Sequence, residues 1–259
     1  MKRRTITSVA LSLTLALFLI PSASAECQGG NKVTQNFHQV YNLAADGRVA
    51  LENINGNAQI EAWDSNQVQI DAVKTACSQE DLDSVKIDVR GSQDAVRIAT
   101  NYPKKSNSGN DHSVNVEYKI KMPRKSRLDR VELVNGSLTM KGVGGEVNAS
   151  CVYGIIRAQG LQGPTHLSTV NGGLEADFDQ VTRPEIDLES VNGSVSLTLP
   201  SAANAKISAD TVHGGIKSDF PASIESQMFA GRELRGQLGN GDGHIRINNV
   251  NGSISIHRR

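Results

Sequence analysis

The sequence predicts an all-β protein, and three observations carry that prediction. A short motif of an aliphatic residue, Asn and Gly recurs along the chain, glycines recur every nine residues between positions 136 and 172, and apolar and polar residues alternate around the motif. Alternation with a period of two places every second side chain on one face of a strand. Only residues 78–84 have the character of a helical turn.

The N-terminal segment 1–25 is predicted to be a signal peptide. Basic residues precede an apolar run at Val9–Ile20, and small residues stand ahead of a cleavage site that we place after Ala25. The apolar run is shorter than the roughly 20 residues of a membrane-spanning helix. We therefore expect an exported protein, in the periplasm, on the cell surface or secreted, with no membrane span after cleavage.

Three cysteines follow the predicted cleavage site. An oxidising compartment permits a disulfide, and we expect Cys27 to pair with Cys77 because both lie outside the regular repeat. Cys151 lies inside the repeat and is predicted to be a small apolar residue on a strand. The chain has no closely spaced Cys or His pairs of the kind that bind zinc, so we expect no metal and no cofactor.

The domain organisation is predicted to be simple. Residues 26–45 form an N-terminal lead or cap segment, and residues 46–259 form one repeat domain in which residues 72–125 depart from the repeat as irregular, wider strands. We expect exposed loops at 101–112 and at 221–236. The C-terminal residues 257–259 are predicted to cap the far end of the domain.

The repeated motif predicts a sharp corner in the chain. Gly tolerates positive φ without steric cost, and Asn tolerates it better than most residues. The predicted corner residues are Asn55, Gly56, Asn135, Gly136, Gly154, Asn171, Gly172, Asn192, Gly193, Gly214, Asn251 and Gly252.

Two β architectures fit this pattern. The motif valines recur after 18 residues (Val134, Val152, Val170) and then after 21 (Val191, Val212), which favours a single elongated β-solenoid with coils of 18–21 residues. In that architecture each Val stacks on the next inside a continuous aliphatic core. The alternative is an antiparallel β-sandwich or meander, in which the Asn-Gly corners close hairpins.

Several segments resemble a known family. The repeated Val-Asn-Gly-Ser, the segment 61–64 (Glu-Ala-Trp-Asp) and the closing segment 251–256 resemble bacterial proteins that are proposed to be adhesins and are built on domain of unknown function 4097. The resemblance covers residues 46–256. It implies a solenoid-like fold in a cell-envelope or secreted protein and supplies no catalytic residues.

Composition narrows the function. The chain has 27 basic and 27 acidic residues and only 4% aromatic residues, which disfavours nucleic-acid binding. The prediction is an exported, non-enzymatic protein of the cell envelope that acts as an adhesin-like binding or scaffold module. Its expected partner is an envelope polysaccharide or a surface protein.

Two other functions stay open. One is a periplasmic stress or sensory protein that binds a protein partner. The other is a carbohydrate-active enzyme of the β-helix type, which would need paired carboxylates in a cleft; their simpler interpretation is a solvated strand surface. The candidate carboxylates are Asp177, Asp179, Asp187, Glu189 and Asp219.

Overall fold

The computed structural model describes residues 32–103, 114–181, 184–226 and 231–259. The predicted signal peptide, Cys27 and most of the loop predicted at 101–112 lie outside the described residues. Within them the chain forms two large mixed β-sheets and one short helix. The prediction of an all-β protein is confirmed.

The single helix is α1, Gln79–Ser84, and the Ser78 side chain caps it by accepting a hydrogen bond from the amide of Asp81. The strands are β1 (Val33–Asn42), β2 (Arg48–Asn55), β3 (Ala58–Trp63), β4 (Gln67–Ala76), β5 (Lys86–Gly91), β6 (Ala95–Asn101), β7 (Asn115–Pro123), β8 (Arg127–Asn135), β9 (Leu138–Lys141), β10 (Val147–Tyr153), β11 (Ile156–Leu161), β12 (Thr165–Asn171), β13 (Leu174–Phe178), β14 (Glu185–Asn192), β15 (Val195–Leu199), β16 (Ala205–His213), β17 (Ile216–Ser218), β18 (Ser223–Ser226), β19 (Arg232–Leu238), β20 (Gly243–Asn251) and β21 (Ile254–Arg258).

Successive central strands alternate between the two sheets. The ten-stranded sheet has the order β1-β4-β7-β3-β9-β11-β13-β15-β21-β17. The eleven-stranded sheet has the order β18-β19-β16-β20-β14-β12-β10-β8-β2-β6-β5. Each pass of the chain therefore contributes one strand to each sheet.

The central strands pair in parallel and bring like positions of the motif together. Asn171 of β12 pairs with Asn192 of β14, and Asn192 pairs with Asn251 of β20. The Asn-Gly corners join strands that lie in different sheets, such as β14 and β15. The antiparallel alternative requires these corners to close hairpins, and they do not.

The order of the passes departs from the order of the sequence. Strands β20 and β21 lie between β14 and β16 in one sheet and between β15 and β17 in the other. The repeat spacing predicted that the pass containing Val212 stacks directly on the pass containing Val191, and this prediction was wrong. So was the expectation that residues 257–259 cap an end, because Arg258 pairs with Leu199 in the interior of the sheet.

Antiparallel strands lie at one end of the ten-stranded sheet and at both ends of the eleven-stranded sheet. At one end β1, β4 and β7 pair in the ten-stranded sheet and β5 pairs with β6 in the other. At the other end β18, β19 and β16 pair antiparallel. The expectation of a loop at 221–236 was therefore wrong, because β18 and β19 occupy most of it.

The core is one cluster of aliphatic side chains between the two sheets. Ile186 and Leu188 of β14, and Val195, Leu197 and Leu199 of β15, are all buried. The period-two alternation predicted that these five side chains share the buried face. Because aliphatic side chains dominate the layer, burial of apolar area supplies the main driving force for folding.

Candidate functional site

The predicted corner residues lie where the chain passes from a strand of the eleven-stranded sheet to a strand of the ten-stranded sheet. The backbone reason for them differs from the prediction. Among the corner glycines that the structure describes, φ is positive at Gly56, Gly154 and Gly252 and not at the others. No other described residue type has positive φ, so the corner asparagines were not selected for that conformation.

Close packing of successive corners explains the glycines better. A Cβ added to Gly172 would overlap the carbonyl oxygen of Gly154, and one added to Gly193 would overlap the carbonyl oxygen of Gly172. Each corner therefore sits directly against the backbone of its neighbour. Only a residue without a side chain permits that approach.

The corner carbonyls receive hydrogen bonds from inside the core. Three residues before five of the seven corner glycines, a buried side chain of one pass bonds the glycine carbonyl of a neighbouring pass. This set, which we call the inner polar column, contains Cys151 (to Gly136, 2.9 Å), Thr169 (to Gly154, 3.4 Å), Ser190 (to Gly172, 3.5 Å), Asn249 (to Gly193, 3.0 Å) and Thr211 (to Gly252, 3.1 Å).

On the outer surface of the corners, the side chains of the corner asparagines form hydrogen bonds with one another. The Asn192 amide donates to Asn171 Oδ1, and the Asn251 amide donates to Asn192 Oδ1, each at 2.9 Å. Asn135 donates to Asn55 in the same way at 3.0 Å. Stacking identical residues in register, as in cross-β structures, produces such amide ladders.

The motif valines point outward, which contradicts the prediction that they form the core. Each pass contributes one β-branched residue to a row that crosses the eleven-stranded sheet. The residues on either side of each row member are paired with their counterparts in the next strand. We call this set the aliphatic row: Ile54, Val134, Val152, Val170, Val191, Val250 and Val212. Apart from the half-buried Val152, their exposed fractions lie between 37% and 48%.

A groove lies beside the aliphatic row on the same face of the sheet. Two neighbouring cavities, of about 790 and 650 Å³, lie over strands β12, β14, β20, β16 and β19. Val170, Val191, Val212 and Val250 line the smaller cavity, which we call the valine end; the larger is the basic end. The groove is the candidate functional site because it brings polar and charged side chains next to the exposed aliphatic row.

Carboxylates gather at the valine end. Glu189 of β14, Asp210 of β16 and Glu233 of β19 line that cavity, and Asp210 is the direct register partner of Glu233. Burial raises the pKa of Asp210, and the Glu233 carboxylate adds to the rise while Arg235 opposes it. Glu233 forms an ion pair with Arg235, and its side chain is only 14% exposed.

Cations gather at the basic end. Lys206, Arg235 and Arg246 line it with His166 and His244, and the acidic residues Glu146, Glu185 and Asp187 line it as well. Arg246 is the register partner of Asp187 on one side and of Ser208 on the other. Within the described part of the chain, Lys206 and Arg246 form no ion pair, so both can meet a charged group of a ligand.

The carboxylates proposed from the sequence do not meet in one cleft. Asp177 and Asp179 lie at β13 in the ten-stranded sheet, where both contact Arg259 at 3.1 Å. Asp187 and Glu189 lie on β14 in the other sheet, and Asp219 is 3.5 Å from His257. No group of three His, Cys, Asp or Glu residues in the described ranges is arranged to hold a metal ion.

The groove itself was missed by sequence reasoning, although one signal was available. Counting along β14, Ile186, Leu188 and Ser190 face inward, so Val191 must face outward. The same count applies in each pass. The acidic partner Glu233 carried no comparable signal, because its strand was expected to be a loop.

Cys77 lies just after β4. Its proposed partner Cys27 lies outside the described residues, so that pairing stays a prediction. Cys151 is a free, buried thiol.

Several solved structures are similar to this chain. A proposed cell adhesion protein from Clostridium sporogenes ATCC 15579 is 14% identical, with 87% of this chain and 100% of that chain covered and a TM-score of 0.45. A proposed adhesin from Bacteroides fragilis NCTC 9343 is 9% identical, with 86% and 97% covered and a TM-score of 0.41. A proposed lipid binding protein from Parabacteroides distasonis ATCC 8503 is 14% identical, with 89% and 98% covered and a TM-score of 0.33.

Among curated protein sequences, none matches this chain. The described residues contain no helix long and apolar enough to cross a membrane. The sequence pattern of the family described as Toastrack DUF4097 matches residues 28–257. Because that match takes in nearly all of the paired strands described above, the chain belongs to the Toastrack DUF4097 family.

Proposed function

We propose that this chain is an exported, non-enzymatic binding protein of the cell envelope, and that it holds an extended polysaccharide in the groove of the eleven-stranded sheet. The observation that carries the proposal is the register of the groove. Neighbouring passes present the valines of the aliphatic row along the groove at the strand spacing of about 4.8 Å. A surface that repeats at a fixed interval suits a ligand that also repeats.

The chemistry of the groove supports a sugar polymer. Glu189, Asn248 and Asp210 stand side by side across three strands. Carboxylates accept hydrogen bonds from hydroxyl groups, and a side-chain amide both accepts hydrogen bonds from them and donates hydrogen bonds to them. The neighbouring aliphatic row offers apolar contact, so the groove can meet both the polar edge and the apolar face of a sugar ring.

We also infer that the central passes form a β-solenoid and that the protein is exported. Support for the solenoid comes from the parallel, in-register pairing of β8, β10, β12 and β14 together with the alternation of the passes between the two sheets. Support for export comes from the leader-like segment 1–25.

The test is co-sedimentation of the purified exported protein with cell-wall material, outer-membrane vesicles and insoluble polysaccharides. We expect saturable binding to a polysaccharide-containing fraction, with no sugar released into the supernatant. Binding to none of the fractions would contradict the proposal.

A matched pair of charge reversals tests the position of the site. Arg246→Glu changes an exposed residue in the groove, whereas Lys217→Glu changes an exposed residue on the ten-stranded sheet. We expect the first to weaken binding and the second to leave it unchanged. Equal effects of the two variants would place the binding surface elsewhere.

One observation favours a second candidate, a carbohydrate-active enzyme. Asp210 and Glu233 face each other within a cavity, and the raised pKa of Asp210 is typical of a general acid. Enzymatic activity would release sugar in the same sedimentation assay. Asp210→Asn would then abolish release while binding persists.

A further inference from the structure

One edge of the ten-stranded sheet lacks the usual protection against pairing. Strand β1 lies at that edge and pairs with β4 through ten consecutive residues without a bulge. Its sequence contains no Lys, Arg, Asp, Glu or Pro. No described residue pairs with the outer side of β1. Natural proteins normally blunt such edges with charges, proline, bulges or short strands.

The three other sheet edges show that protection. Strand β5 carries Lys86, Asp88 and Arg90. Strand β17 has only three residues, and β18 has only four. The contrast within one molecule singles out β1 as the edge available for pairing.

We propose that β1 pairs antiparallel with β1 of a second copy of this chain, so that two ten-stranded sheets join about a two-fold axis. The two-fold passes through Phe37. In this register Phe37 stands opposite Phe37 of the second copy, and Val33 stands opposite Tyr41 of the second copy.

The side chains of β1 are self-complementary in that register. Val33, Phe37 and Tyr41 lie half-buried on the core side of the strand, where they pack against the core cluster. The pairing places these apolar residues opposite one another on one face, with Gln35 opposite Gln39 of the second copy between them. Aromatic and β-branched pairs across neighbouring strands are stabilising.

The opposite face of β1 is also compatible with a second copy. It carries Thr34, Asn36, His38 and the exposed Val40. Thr34 would oppose Val40 of the second copy, and Asn36 would oppose His38. No like charges meet, because His38 is the only titratable residue on that face and it contacts Asp71 of its own chain at 2.6 Å.

The charge pattern favours a second copy over an unrelated partner. A partner of different sequence is normally selected by complementary charge, and β1 offers none. A neutral strand whose halves match when reversed fits its own copy. The proposed contact is small, so we expect a reversible dimer rather than an obligate one.

The test is sedimentation velocity of the exported protein from micromolar to near-millimolar concentration. We expect a monomer–dimer equilibrium. A protein that stays monomeric throughout would overturn the proposal, and so would a concentration-independent higher oligomer.

Charge pairs then test the register. Thr34→Lys combined with Val40→Lys places two pairs of like charges across the interface, and we expect dimerisation to weaken by about tenfold. Thr34→Glu combined with Val40→Lys places opposite charges in the same positions, and we expect dimerisation to return. Failure of the second variant to recover would overturn the proposed register.

A control variant separates edge effects from surface effects. Val73→Lys changes a similarly exposed valine on β4, one strand away from the edge. We expect it to dimerise like the unmodified protein. All three variants alter exposed side chains, so we expect each to fold normally. Unfolding midpoints measured at a concentration where the protein is monomeric check this. Differences in sedimentation among the variants then report dimerisation alone.

Discussion

The Cys151 thiol donates a hydrogen bond to the carbonyl oxygen of Gly136, 2.9 Å away, in the neighbouring pass of the chain. Burial raises the pKa of this thiol to about 11, so it stays protonated at neutral pH and remains a donor. Thr169 makes the equivalent contact with Gly154 one pass later. Cys151 therefore serves as a polar member of the inner polar column rather than only as an apolar residue.

Replacing Cys151 with a pair of similarly shaped residues tests that role. We expect Cys151→Val to be about 1–2 kcal/mol less stable than Cys151→Thr, because valine leaves the Gly136 carbonyl without a donor. The measurement is the free energy of unfolding in denaturant. If the valine variant is as stable as the threonine variant, the hydrogen bond contributes nothing.

Adjacent glycines at one corner give a second comparison. We expect Gly172→Ala to destabilise the fold by about 1–3 kcal/mol, because the new methyl group would meet the Gly154 carbonyl. Gly173→Ala should be tolerated, since its Cβ would lie 3.6 Å from the nearest atom, the Ser194 oxygen. Thermal midpoints of both variants check the prediction, and equal losses would argue against close stacking of the corners.

The buried Tyr118 and the half-buried Tyr102 predict alkaline instability. Burial raises the pKa of Tyr102 to about 12, and burial also raises the pKa of Tyr118, whose hydroxyl lies 2.7 Å from Thr100 Oγ1. In the unfolded chain both ionise near pH 10. Above that pH the unfolded state binds fewer protons, so stability is full below about pH 10 and falls as the pH rises further.

Ultraviolet absorbance of tyrosinate, followed together with circular dichroism, measures this effect. We expect Tyr102 and Tyr118 to ionise only as the protein unfolds. The double variant Tyr102→Phe, Tyr118→Phe should lose less stability between pH 10 and 12. An unchanged pH dependence would mean that other groups cause the alkaline transition.

Deleting residues 243–259 tests the position of β20 and β21. The deletion removes a strand from the interior of each sheet, and it also removes Arg259, which contacts the Phe178 carbonyl at 2.8 Å. We expect an aggregated or unfolded product. The milder change Arg259→Ala should lower the unfolding midpoint slightly, and a well-folded deletion product would contradict the observed strand order.

Much of the fold could be predicted from local patterns. Alternation around Ile186 and Leu188 identifies the buried face, and the short polar segment after Ser78 identifies the helix. The repeated glycines mark the corners. These features depend on neighbouring residues in the chain, which a single sequence displays directly.

The remaining features depend on contacts between distant residues. The repeat spacing suggested that residue 212 follows residue 191 in the stack, but His213 and Asn192 both pair with Asn251. Nothing local distinguishes one Asn-Gly corner from another, so the order of passes could not be read from the motif. The groove was missed for the same reason, because it assembles Glu189, Asp210 and Glu233 from three strands.

The position of β20 and β21 has a consequence for how the molecule is made. Strands β14 and β16 each leave an unpaired side facing the other until residues 243–251 have arrived. A chain synthesised from its amino terminus can assemble the earlier passes, but this gap stays open until residues 243–251 have been made. Exposed strand edges recruit other chains, so we expect the molecule to be most prone to aggregation late in its synthesis, before β20 and β21 fill this gap.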